Sequence, residues 1–201
     1  FAVSGGILIS GNLNGTPKLN FIILFIGTVL ASVMGTTGAS MLLIRPLIRA
    51  NSWRKNKTHL IVFFIFLVSN IGGSLTPIGD PPLFLGFLRG VDFTWTLYNM
   101  FYPMLLSSSI ILVLFYAYDS FLYKKETVVS EVDNNFSIKI DGKINFLFIL
   151  IIIGAVILSG MDGLKDYPFF EYKHVMMMSL GTFLQLIILL LVTFLSLKLT
   201  P

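Results

Sequence analysis

The residues best placed to do chemistry form one polar, breaker-rich stretch, Ser69-Asn70-Ile71-Gly72-Gly73-Ser74-Leu75-Thr76-Pro77-Ile78-Gly79-Asp80-Pro81-Pro82. Proline removes a backbone donor and clashes with the preceding turn. It also drives the residue before it, here Thr76 and Asp80, toward extended backbone. A helix running in from Leu60 therefore ends near Asn70, and a second begins near Pro82, where proline suits a first turn. Such a break exposes carbonyls at one helix end and N–H groups at the other. The first favour a cation and the second an anion. Ser69, Asn70, Ser74 and Thr76 add neutral oxygens, a ligand type suited to a hard alkali cation. The turn Thr36-Thr37-Gly38-Ala39-Ser40 supplies similar groups. Asp80 has two roles open to it. A carboxylate at membrane depth is a functional candidate by default, and a carboxylate before Pro81 can also cap the second half-helix.

The elements that hold these residues belong in a bilayer. Of 201 residues, 55% are hydrophobic and 12% charged, against about 25% charged in a soluble domain. Breaks of this kind survive in hydrocarbon only against protein or a polar cavity, because each unsatisfied backbone group costs several kcal/mol. Cysteine is absent, which excludes disulfides, Cys-zinc sites and thiol chemistry. No paired acids, Ser/His arrangement or metal ligand set stands at membrane depth, so an enzyme is not expected. His59 and His174 stand apart at segment edges, and Asp119 and Asp162 read as interfacial. The Met176-Met177-Met178 run reads as packing sulfur. Arg45 and Arg49 share a helix face and read as snorkelling to headgroups, with anion contact as the alternative.

The expected architecture is an all-α polytopic membrane protein with broken and re-entrant helices. Residues 1–201 form a single membrane domain, with 1–11 the end of a helix. Residues 21–50 form a re-entrant hairpin with arms of 8 to 14 apolar residues, and 60–90 an unwound helix. Simple spans are expected at 99–118, 145–161 and 175–197. The loop 123–144 carries a short hairpin signal around Asp141-Gly142. Arg45, Arg49, Arg54, Lys55 and Lys57, with Lys124, Lys125, Lys139 and Lys143, mark the cytoplasmic side. The opening Phe1 and closing Pro201 read as the ends of a piece of a longer protein.

Ser69 to Pro82 resembles the unwound-helix motif of the ion transporter superfamily, which includes citrate-transporter-like proteins, arsenite pump subunits and sodium/dicarboxylate symporters. The Asp80-Pro81-Pro82 ending and the following Leu-Phe-Leu-Gly-Phe-Leu are most similar to NhaD-type sodium/proton antiporters. Gly35-Thr-Thr-Gly-Ala-Ser-Met-Leu-Leu-Ile-Arg-Pro46 resembles the hairpin tip of the same families. The resemblance implies one half of an inverted-repeat transporter fold, with an elevator-like transport domain and a homodimer. It implies ion or substrate binding by Thr36, Thr37, Ser40, Asn70, Gly73, Thr76 and Asp80. Many cation-exchanging relatives carry Asp-Asn where this chain has Thr36-Thr37, and the second repeat is expected after residue 201.

The function expected is secondary transport, with sodium/proton antiport first. The alternatives are an organic or inorganic anion carrier of the citrate, dicarboxylate or arsenite kind, and an inactive truncated half. No cofactor is expected beyond a sodium ion at the same residues. The partners expected are the lipid bilayer, a monovalent cation or small anion and a second copy, with no nucleic acid. The expected location is the bacterial cytoplasmic membrane.

Overall fold

The computed structural model describes residues 2–11, 13–126, 138–160, 163–164, 167–172 and 176–200. In chain order they form α1 (Ala2–Gly5), β1 (Leu8–Gly11), α2 (Pro17–Met34), α3 (Thr36–Ala50) and α4 (Thr58–Leu67). A 3-10 turn (Ile71–Leu75) and α5 (Pro81–Leu88) follow, then α6 (Trp95–Tyr123), β2 (Ile138–Asp141) and α7 (Ile144–Ser159). The chain closes with β3 (Pro168–Tyr172), β4 (Met176–Ser179) and α8 (Leu180–Leu199). Among the described residues four segments are long and apolar enough to cross a bilayer: Pro17–Met34, Thr58–Leu75, Trp95–Tyr123 and Leu180–Leu199. The protein is an all-α polytopic membrane protein, with two small β-ribbons at its edges.

Local chemistry sets the helix ends. Thr16 accepts a hydrogen bond from Leu19 N–H at 3.3 Å and Pro17 opens α2, so the helix starts before the apolar run. Gly35, at φ +84°, ends α2 and turns the chain directly into α3. The arms are longer than their apolar runs, at 18 and 15 residues. At ~1.5 Å per residue they reach about 27 and 22 Å, most of a hydrocarbon core of about 30 Å. The reason is that Pro17 to Asn20 extend α2 ahead of its apolar run, and Thr36 to Ser40 with Arg49 and Ala50 flank that of α3.

Three local expectations are corrected. Residues 1–11 are not one helix end, because α1 stops at Gly5 and Leu8–Gly11 becomes a strand. The Asp141-Gly142 turn makes no local hairpin. Ile138–Asp141 pairs antiparallel with β1, Leu8 opposite Asp141, while Gly142 at φ +73° leads into α7 with no room for a return strand. The last helix begins at Leu180 rather than 175, because Ser179 caps it by accepting from Thr182 N–H at 3.3 Å. Met176–Ser179 pairs instead with Pro168–Tyr172. The segment 127–137 of the expected cytoplasmic loop lies outside the described residues, as do Met161, Asp162 and His174.

The helices pack in two groups. In the first, α2 lies against α3, α4, α6 and the 3-10 turn. Leu24, Ala31, Leu47, Leu67, Val68 and Phe115 form its fully buried core. In the second, α7 and α8 pair, and α1 rests on both and on α3, joining the two groups. Gly181 allows that pairing, since a Cβ there would stand 2.6 Å from Ser159 O.

A buried polar cluster ties the basic end of the first group together. Asp119 of α6 accepts from Arg54 Nη2 at 2.6 Å and from Asn20 Nδ2 of α2 at 3.0 Å. It also bonds His59 Nε2 of α4 at 2.7 Å. Asn51, at the end of α3, exchanges hydrogen bonds of 2.7 and 3.0 Å with Asn20 and accepts from Arg54 Nη1 at 3.1 Å. Asp119, read from the sequence as interfacial, is therefore fully buried, and His59 does not stand alone.

Candidate functional site

The hairpin tip and the broken helix meet. Thr36 N–H donates to Gly79 O at 3.0 Å, which uses one of the free donors at the start of α3. The next bond at this end runs from Ala39 N–H to Gly35 O. By helix geometry Thr37 and Gly38 then hold N–H groups with no intrahelical acceptor. On the other side, Thr76 and Asp80 are both extended, at φ −134° and −143°, as the prolines after them require. Gly73 and Gly79 allow the two backbones to touch. A Cβ on Gly73 would stand 2.5 Å from Thr36 Cγ2 and 2.8 Å from Gly79 O.

A cavity of about 340 Å³ opens at this junction. Gly35 to Gly38 and Pro77 to Pro81 form its polar side, and Ile152, Val156, Gln185 and Leu189 of α7 and α8 face them. Its one charged lining side chain among the described residues is Asp80. Asp80 occupies the N-cap position of α5, yet its side chain makes no cap hydrogen bond. The reason is local. Pro81 and Pro82 have no N–H to give, and Leu83 and Phe84 N–H both bond to the Asp80 backbone carbonyl. The same two prolines leave the start of α5 poor in donors for an anion. The donor-rich end at this cavity is the start of α3.

The residues that the resemblance implied divide by position. Thr36, Thr37 and Asp80 line the cavity, and Gly73 closes the wall behind Thr36. Ser40 lies outside it, its hydroxyl 2.9 Å from the Ser69 hydroxyl, joining α3 to the end of α4. Thr76 Oγ1 donates to Ser32 O at 2.5 Å and accepts from Gly79 N–H at 3.2 Å, so it shapes the break without facing the cavity. Asn70 is exposed and donates to Ile65 O of its own helix at 3.1 Å.

A family model described as "Putative citrate transport" matches residues 1–201. The chain belongs to this citrate-transport family. It is a membrane transporter chain, and the cavity at the tip of its hairpin is the candidate site. No curated protein and no solved structure matches it.

Two polar residues of this transporter chain carry no motif of the kind read from the sequence above. Gln185 is buried in α8 and faces the cavity, and Ser4 of α1 borders it. The signal for Gln185 was an amide inside an otherwise apolar span. Ser4 carries no such signal.

Proposed function

We propose that this chain forms the binding site of a secondary carrier that moves a small polycarboxylate together with a monovalent cation, with sodium the first candidate. The observation that carries the reading is the pairing of opposite features in one cavity. Asp80 brings a carboxylate with no capping partner, and the start of α3 brings donors and the positive end of a helix dipole. A polycarboxylate beside Asp80 alone would be repelled. A cation held by Asp80, the threonine hydroxyls and nearby carbonyls removes that repulsion, and a substrate carboxylate can then take the α3 donors. A volume of about 340 Å³ suits a small molecule, such sites spanning about 300–1,000 Å³. In this reading the basic end faces the cytoplasm, the membrane is the bacterial cytoplasmic one and the transporter works as a homodimer.

Sodium/proton exchange of the NhaD type is the second reading. Asp80 favours it, as an uncapped acid that could take either ion in turn. Reconstituted liposomes separate the two. The first reading expects labelled citrate uptake that needs a sodium gradient and is lost in Asp80→Asn at normal insertion. Sodium uptake driven by a pH gradient without carboxylate would overturn it in favour of exchange. A protein that moves neither solute would overturn both.

A further inference from the structure

A second cavity, of about 280 Å³, lies beside the first on the basic side of the hairpin. Ser4, Ile7, Met41, Arg45 and Arg49 are among its walls. Both arginines are exposed, and among the described residues no carboxylate forms a salt bridge with either. Thr37, Met41, Arg45 and Arg49 recur every four residues along α3, so they lie on one face. At ~1.5 Å per residue, Arg45 is about 12 Å and Arg49 about 18 Å along the axis from Thr37. Ser4 borders both cavities. It seats tightly on α3, since a Cβ on Gly38 would stand 2.6 Å from its hydroxyl.

We propose that this second cavity is an anion vestibule. Arg45 and Arg49 gather a polycarboxylate there, and Ser4 marks its threshold to the cavity at Thr37. Two unpaired guanidiniums four residues apart match an oxygen-rich dianion, because each can offer paired N–H donors to a carboxylate. A lipid phosphate has the same chemistry. The walls favour the soluble substrate. The space is closed by α1 and the start of β1, and it adjoins the candidate site rather than a bare helix face. The inference rests on the carboxylate reading above.

The test uses the protein in vesicles of pure phosphatidylcholine, and in vesicles with added phosphatidylglycerol. Citrate uptake is measured for the parent, for Arg45→Gln/Arg49→Gln and for Arg45→Lys/Arg49→Lys. Both positions belong to the basic cluster that marks one membrane side, so insertion and orientation of each pair are checked by protease accessibility before uptake is compared. The glutamine pair should raise the citrate KM by about tenfold, the order expected from losing charge-assisted bonds at a solvated site. Its kcat should stay near parental in both lipids, and the lysine pair should recover part of the loss. An unchanged KM in the glutamine pair, with the parent active, overturns the vestibule alone. A parent that needs phosphatidylglycerol, with the glutamine pair losing only that dependence, assigns the arginines to lipid and overturns it too. A parent that moves no polycarboxylate overturns the functional reading and the vestibule with it.

Discussion

Removing the Asp119 carboxylate should be among the most damaging single changes in this protein, although Asp119 is remote from the cavity. Its oxygens receive Arg54 at 2.6 Å, His59 at 2.7 Å and Asn20 at 3.0 Å. Arg54 and Asp119 are both fully buried, and Arg54 Nε already lacks a partner. Asp119→Leu leaves the guanidinium buried without its counter-charge. Breaking a buried pair in this way costs about 3–5 kcal/mol, which is about two to four orders of magnitude in the folded-to-unfolded ratio. Arg54→Met strands the carboxylate and should cost a similar amount. The double variant removes both charges and should be much less unstable than the sum of the two. Denaturant unfolding in mixed micelles, followed by circular dichroism, gives all four corners of this cycle. Singles within about 0.5 kcal/mol of the parent, or a double variant equal to the sum, would refute the view that the pair is buried and coupled.

Gly73→Ala should part the hairpin tip from the break, because its Cβ would meet Thr36 Cγ2 and Gly79 O. Overpacking of this kind costs about 1–3 kcal/mol. We expect the variant to insert and, on the proposed function, to lose the thermal shift expected from citrate with sodium in the parent; a shift equal to the parent's would count against the junction. Glu126 accepts from Asn56 N–H at 2.9 Å and Lys55 N–H at 3.2 Å, and these bonds, Asn56 first, lower its pKa. A depressed carboxylate stabilises above its ordinary value and loses that contribution as pH falls through the depressed one. Amide protection in 54–57, taken relative to the intrinsic exchange rate at each pH, should therefore fall in acid, and Glu126→Gln should flatten that dependence.

Much of the site's location was legible in the sequence because covalent rules wrote it. Pro77, Pro81 and Pro82 forbid a continuous helix whatever surrounds them, and Gly35 marks a turn between two apolar runs. The side-chain roles were less legible. Thr76 and Asn70 looked like ligands by type, yet each turns to a nearby carbonyl, Ser32 O and Ile65 O. Local hydrogen bonding competed with ligation, and composition cannot say which prevails. The cluster at Asp119 was invisible for another reason. Asn20, Asn51, Arg54, His59 and Asp119 come from four helix ends and one loop, and only the packed bundle brings them together. The strand pairing of Leu8–Gly11 with Ile138–Asp141 is similarly nonlocal, spanning most of the chain.

The two-group packing has a mechanical consequence. The hairpin is tied at its base by the Asp119 cluster and at its tip by the Thr36–Gly79 bond. The cavity lies on the seam between the groups. Across it, Ile152, Val156 and Leu189 present hydrocarbon, relieved by one amide, Gln185. The bonds of the cluster and tip fall inside the first group, and the Ser196–Asn145 bond falls inside the second. The seam is packed largely by hydrocarbon, with α1 seated on both sides of it. Dispersion contacts across that seam can exchange partners at little cost, whereas the polar joints inside each group cannot.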